Sequence, residues 1–136
     1  VDQTNQKLLE ILLKNSKTSL NEISQKVNLS VPATRDRIHR LIDMRIIKSY
    51  TIEIDYALLG YDIEALIELT IKNNLYKDFK DYIAQQKNVE FCYRISGDSC
   101  FMFKARFENM KKAENFIDSL QTYGHSKTHF IFSKVI

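Results

Sequence analysis

Arg35, Arg37 and Arg40 fall two and then three residues apart in the segment Ser30-Val-Pro-Ala-Thr-Arg-Asp-Arg-Ile-His-Arg-Leu-Ile42. Guanidinium groups so placed suit one chemistry in particular: charge-assisted hydrogen bonds to phosphate oxygens, or paired N–H donation to a guanine edge. Upstream, Ser19 followed by Glu22 has the spacing of a capping box, and Asn28-Leu29 reads as a tight turn before a second N-cap at Ser30. Pro32 fits a first helical turn, where a missing N–H costs nothing. The elements that must position the arginines are therefore two helices joined by a short turn, a helix-turn-helix, whose second helix enters the major groove of DNA.

With Ile38, Leu41 and Ile42 turned inward, the outer face of that second helix carries Pro32, Ala33, Asp36, Arg40 and Asp43, flanked by Arg35 and Arg37. Pro32 and Ala33 offer apolar contact to a thymine methyl, and Asp36 can accept from cytosine N4. Ser30 and Thr34 have two uses, capping and donation to phosphate. Arg37 has an alternative use in an ion pair with its helix neighbours or with Glu22. His39 reads as a solvated or packed helix residue.

Charge supports this placement. The 136 residues carry a formal net charge of only +3, yet Lys17, Lys26, Arg35, Arg37, Arg40, Arg45 and Lys48 face only Glu22, Asp36 and Asp43 between residues 17 and 50. Such clustering steers a protein toward phosphate. A composition 44% hydrophobic and 27% charged is that of a soluble globular chain. No long uncharged apolar run and no basic-then-apolar start suggests a membrane span or signal peptide, so cytoplasmic placement is expected. Cys92 and Cys100 lack metal-ligand spacing and read as buried thiols. Neither a metal nor a cofactor is expected.

Periodicity changes near residue 50. Before it, Leu8, Leu9, Ile11 and Leu12, Ile23 with Val27, and Ile38 with Leu41 and Ile42 repeat at helical spacing. After it, strands are predicted over 46–55, 63–71, 89–96, 100–107 and 127–136, with helices over 76–86 and 110–120. Asn73-Asn74 and Asn88 read as helix boundaries, Gly97-Asp98 as a hairpin turn and Gly124 as a helix end. The expected class is α+β: an N-terminal winged helix-turn-helix domain (1–50), a linker (51–60), and a ferredoxin-like βαββαβ domain (61–136). The linker, with few turn residues, should be a partly ordered strand and turn. Two helices cover one face of such a sheet, so apolar residues on the other, from Cys92 or Tyr93, Phe101 or Met102, and Phe130 or Ile131, call for a second copy and a two-fold dimer. Paired helix-turn-helices suit duplex DNA with two half-sites.

Val1-Asp-Gln-Thr-Asn-Gln-Lys-Leu-Leu9, the run from Leu29 to Leu41, Ile46-Ile-Lys-Ser-Tyr-Thr51 and Ser96-Gly-Asp98 together resemble the Lrp/AsnC, or feast/famine, regulators over essentially the whole chain. Val89 to Gly97 and Thr128 to Ser133 resemble its LrpC-like branch. The resemblance implies a transcriptional regulator or architectural protein binding double-stranded DNA, as homodimers able to build octamers. It also implies an amino-acid effector near Ser96, Gly97, Asp98, Ser99 and Cys100, with Thr128 on the last strand. Two departures from the family pattern stand out: Ser99-Cys100 replaces a hydrophobe and an aspartate, and Phe130 replaces a second threonine. Some relatives are haem-precursor decarboxylases that use histidines, and His125 and His129 share one face of the last strand. No nucleophile–base pair or carboxylate pair accompanies them, so the chain is expected not to be an enzyme. A ligand-sensing module without DNA binding is the third reading.

Overall fold

The computed structural model describes residues 1–72 and 74–136; the helix boundary expected at Asn73 lies outside the described residues. The chain forms two compact units, Val1–Glu53 and Ile54–Ile136.

The first unit holds α1 (Gln3–Lys14), α2 (Leu20–Val27) and α3 (Val31–Asp43). Leu8, Ile23, Val27 and Ile38 form its core, with Ile11, Leu12, Leu20, Leu29 and Ile47 packed around them. Each helix starts on a side-chain cap: Asp2, Ser19 and Ser30 accept from the amides of Asn5, Glu22 and Ala33. Among the described residues only the serine half of the expected capping box closes, because the Glu22 carboxylate lies 3.4 Å from Lys26 Nζ instead. Ile42, expected inward, is 39% exposed; Ile38 and Leu41 already fill the inner stripe.

The second unit is a four-stranded antiparallel sheet in the order β2-β3-β1-β4. Its elements are β1 (Ile63–Ile71), α4 (Tyr76–Ala84), β2 (Val89–Arg94), β3 (Phe101–Phe107), α5 (Met110–Ser119) and β4 (Gly124–Phe130), the expected βαββαβ order. The inward row of β1, Ala65, Ile67, Leu69 and Ile71, is buried with Phe101, Phe103, Ala105 and Phe107 of β3. Phe79 of α4 is fully buried, its ring 5.0 Å from that of Phe101 and 5.9 Å from that of Phe103.

Three expectations are corrected. No strand forms over residues 46–55. The chain turns at Arg45, and among the described residues no strand lies alongside to complete a ladder; of the linker, only the 3₁₀ turn Tyr56–Leu59 is ordered as an element. Gly124 does not end a helix but begins β4, α5 having closed at Ser119 and passed through a 3₁₀ turn, Leu120–Thr122. A Cβ at Gly124 would meet the Thr70 carbonyl oxygen at 2.0 Å, so the glycine permits the close approach of β4 to β1. Finally, β4 stops at Phe130 and not at Ile136, because β1 begins at Ile63 and offers its last bond, from Ile131 N to Glu64 O, at 2.9 Å. Phe132, Val135 and Ile136 are thus left exposed.

Candidate nucleic-acid interface and effector hairpin

The turn between α2 and α3 is closed by Asn28 in the left-handed region (φ 56°), a conformation asparagine tolerates, and by a 3.0 Å bond from Leu29 N to Ser24 O. Ser30, in extended conformation, caps α3 by accepting from Ala33 N at 3.2 Å. This leaves Pro32, Asp36, Arg40 and Asp43 exposed and Ala33 half-buried, the outer face read from the helical wheel, with Arg35 exposed on its flank and His39 a solvated residue. Among the described residues, the ion pairs of this unit are Lys26 with Glu22 and Arg37 with Asp2, so Arg35 and Arg40 keep their guanidinium groups free.

Two residues of the candidate interface are placed differently. Thr34 is fully buried and donates its hydroxyl to Ser30 O at 2.9 Å. It fastens the first turn and does not face a phosphate. Arg37 Nη1 donates to Asp2 Oδ2 at 2.8 Å and to Asn5 Oδ1 at 3.2 Å. The alternative use expected for Arg37 is therefore realised, but with the start of α1 and not with Glu22 or its own helix. Asp2 also accepts from Asn5 N at 2.8 Å, so one carboxylate caps α1 and ties it to α3. Arg37 first, and the Asn5 amide second, hold the Asp2 carboxyl below its ordinary range. Beside this pair, a hollow of about 610 Å³ is lined by Asp2, Asn5, Ala33, Asp36, Arg37 and Arg40.

In the sheet unit, Ser96, Gly97 and Asp98 are exposed at the β2–β3 hairpin, and Ser99 and Cys100 are half-buried. Gly97 takes φ +104°, the conformation that requires a glycine in this turn. The hairpin is fastened at several points: Ile95 N to Cys100 O (2.9 Å), Cys100 N to Leu69 O (2.9 Å), Thr70 Oγ1 to Asp98 O (3.2 Å) and Ser99 Oγ to Glu68 Oε1 (3.3 Å). Glu68 Oε2 lies 2.7 Å from His129 Nε2, and that contact leads the effects that lower the Glu68 carboxyl. Cys100 Sγ sits 3.2 Å from the Tyr76 hydroxyl, which pulls the thiol below its ordinary value. Cys92 and Cys100 are free thiols and only half-buried, less enclosed than expected.

Thr128 does not join the hairpin. It pairs with Ile67 on the helix-covered face, with β1 lying between β4 and β3. The hairpin instead engages Glu68 and Thr70, whose side chains belong to the open face, the row that includes His125 and His129. The sequence signal for these missed residues is the mixed row Glu64, Leu66, Glu68, Thr70 and Lys72 alternating with an apolar one: charge in the middle of a strand needs partners nearby. The open face also carries Phe91 and Tyr93, rings 5.0 Å apart, with Met102 beside Tyr93 and Lys104 between Glu64 and Glu90 (3.2 and 3.4 Å). Among the described residues no cluster of three or more His, Cys, Asp or Glu side chains could hold a metal ion, and no helix is long and apolar enough to cross a membrane.

Comparison with known proteins agrees with both units. A family model described as winged helix-turn-helix DNA-binding matches residues 1–48, and one described as Lrp/AsnC ligand binding domain matches residues 64–136. The HTH-type transcriptional regulator LrpC of Bacillus subtilis is 39% identical over 99% of this chain and 94% of its own length; LrpA of the same organism is 30% identical over 98% and 99%. The solved structure of B. subtilis LrpC superposes with a TM-score of 0.96, covering 100% of this chain and 97% of that one. A transcriptional regulator of Neisseria meningitidis in complex with L-methionine shares the fold at 22% identity, with a TM-score of 0.94 and coverage of 100% and 92%.

The depressed Asp2 carboxyl sets a pH dependence. Its contribution is complete above the unfolded-state value and is lost as pH falls through the lower folded-state value. Asp2→Asn, which keeps a capping side chain, should show a modestly lower Tm than the parent at neutral pH. The difference should vanish toward acid in a circular-dichroism melting series; a constant difference at every pH would contradict the pair's role.

Proposed function

The chain belongs to the Lrp/AsnC family and is a DNA-binding transcriptional regulator, and we propose that it acts in the cytoplasm as a two-fold dimer that lays a pair of α3 helices on duplex DNA. In this reading residues 1–50 carry the DNA contacts, 51–60 link, and 61–136 dimerise. The observation that carries it is the exposed α3 face, on which Arg35 and Arg40 have no internal partner among the described residues while Ser30 presents the helix start. Arg35 and Arg40 hold phosphates, which supplies affinity for any sequence. Pro32, Ala33 and Asp36, in the first turns, lie against base edges and supply the sequence preference. Arg37 serves the interface indirectly, by pinning α3 to α1.

The dimer contact in this reading is the open sheet face. Tyr93 is 61% exposed there beside Phe91 and Met102, and a second copy of the same face offers matching apolar area with Glu64, Glu68, Glu90, Lys104 and Lys127 arranged for ionic pairing. The segment 48–55, which forms no ladder among the described residues, is available to the same partner.

The effector, a free amino acid, sits at the hairpin. Backbone amides about Gly97 and Ser99 meet its carboxylate, Asp98 meets its ammonium, and its occupancy alters how dimers join into larger assemblies such as octamers. The ligand-binding description of the matching domain and the methionine complex of the meningococcal protein support this; Thr128, across β1, has no part in it.

Three outcomes are expected. An Arg35→Ala/Arg40→Ala double variant should keep its Tm but bind DNA more weakly. Its plot of log affinity against log salt should flatten by about 0.9 for each phosphate no longer neutralised, and unchanged affinity in a gel-shift or anisotropy titration would sink the interface. Tyr93→Asp should elute as a monomer in light-scattering chromatography and lose most DNA affinity; an intact dimer would place the dimer interface elsewhere. Of the free amino acids screened by thermal shift, a true effector at about a hundred times its Kd should add roughly 2.7 kcal/mol of stability. Asp98→Ala should abolish that gain, and a gain that survives the substitution would move the site.

A further inference from the structure

α3 ends in a Schellman motif: Arg45 N bonds Ile42 O at 3.0 Å and Ile46 N bonds Leu41 O at 3.0 Å, with Met44 as the C-cap. The residue after the cap must then take a left-handed conformation, and here it is Arg45, at φ 59°. Glycine adopts that conformation without steric cost, and asparagine at a small one, as Asn28 does at the end of α2. A long cation at this position is locally unfavourable. It is exposed, and neither ion pair of the unit, Lys26 with Glu22 or Arg37 with Asp2, uses it. The hydrogen bonds of the turn and the packing of Ile47 on the core account for the left-handed conformation but would serve a glycine equally, and among the described residues no ion pair accounts for the choice of arginine, which directs attention to a partner outside the chain.

Helix length says what that partner meets. At 1.5 Å per residue, the 13 residues of α3 span about 20 Å, whereas the major groove is about 12 Å wide. In a docking in which α3 crosses the groove with its first turns at base edges, its far end reaches the groove wall, which is sugar–phosphate backbone. Lys48, also exposed, follows three residues later and adds to the positive field there.

We propose that Arg45 is a phosphate-binding residue, a backbone clamp at the exit of the recognition helix, held in a strained turn that places its guanidinium outside the groove. The inference rests on the DNA-reading role of α3 given above. A competing role is purely internal: a cation just past a helix C-terminus offsets the negative end of the helix dipole. The two differ in sign. If Arg45 serves the dipole, Arg45→Gly lowers stability; if it serves DNA, Arg45→Gly relieves strain at no structural loss.

The test uses the full chain and a labelled mixed-sequence duplex of about three helical turns. Arg45→Gly should melt at or above the parent temperature yet bind severalfold more weakly. Its salt plot should flatten by about 0.9 per subunit, hence about 1.8 for a dimer. Arg45→Lys, which keeps the charge, should retain the parent slope. A lower Tm for Arg45→Gly, or an unchanged salt slope, overturns the proposal. The Arg35→Ala/Arg40→Ala variant separates the two failures. If it loses affinity while Arg45→Gly does not, only the clamp is wrong; if neither variant changes binding, the reading of α3 itself falls.

Discussion

A four-stranded sheet has two faces, and two helices of nine and ten residues can cover only one of them. Most of what is distinctive in the larger unit follows from that constraint. On the covered face, β1 and β3 contribute an unbroken row of aliphatic and phenylalanine side chains against Phe79, Ala113 and Leu120. On the open face the four strands mix apolar and polar side chains, Phe91, Tyr93, Met102 and Leu66 among Glu64, Glu68, Lys104 and His129. In the proposed dimer a second copy of this face covers the exposed aromatic rings. The polar residues hold the face in register, Lys104 bridging two carboxylates and Glu68 linking β4 to the hairpin.

The smaller unit meets a different constraint. Some fifty residues bury only a modest apolar core, so its stability leans on ends and caps as well as on packing. Asp2 is the clearest case, because a single carboxylate both starts α1 and holds Arg37 of α3. Thr34 is another, fully buried yet satisfied by the carbonyl of its own cap residue. Both inward-facing uses take polar side chains away from the outer surface of α3. What remains outside is sorted by chemistry, with small and acidic groups near the start of the helix and unpaired cations along its flank and beyond its end.

How much of this was legible in the sequence depends on the range of the interaction. Caps at Ser19 and Ser30, the Asn28 turn, the buried row of β1 and the βαββαβ order are set by neighbours a few residues away, and the letters carry them. Ile46 to Asp55 has the composition of a strand, but a strand exists only with a ladder, and none is supplied among the described residues. Gly124 looks like a helix end because glycine commonly is one; its actual reason, the carbonyl of Thr70, lies more than fifty residues away. Arg37 finds Asp2 across thirty-five residues, a pairing that no local pattern announces. The hairpin itself was legible from Gly97-Asp98, whereas its attachments to Glu68, Thr70 and Tyr76 depend on which strand becomes its neighbour.

Those attachments bear on how a ligand at the hairpin would be felt elsewhere. Asp98 and Ser99 are bonded to Thr70 and Glu68, and Glu68 to His129, so the turn is mechanically continuous with the open row of β1 and β4. A molecule that reorients Asp98 or Ser99 changes the donor available to Glu68 and the acceptor available to Thr70 before it changes anything in the helix-covered core. In the proposed dimer that row faces the partner. The departure of Ser99-Cys100 from the family pattern then acquires a physical meaning, since the Ser99 hydroxyl supplies the bond to Glu68 that a hydrophobe at the same position could not.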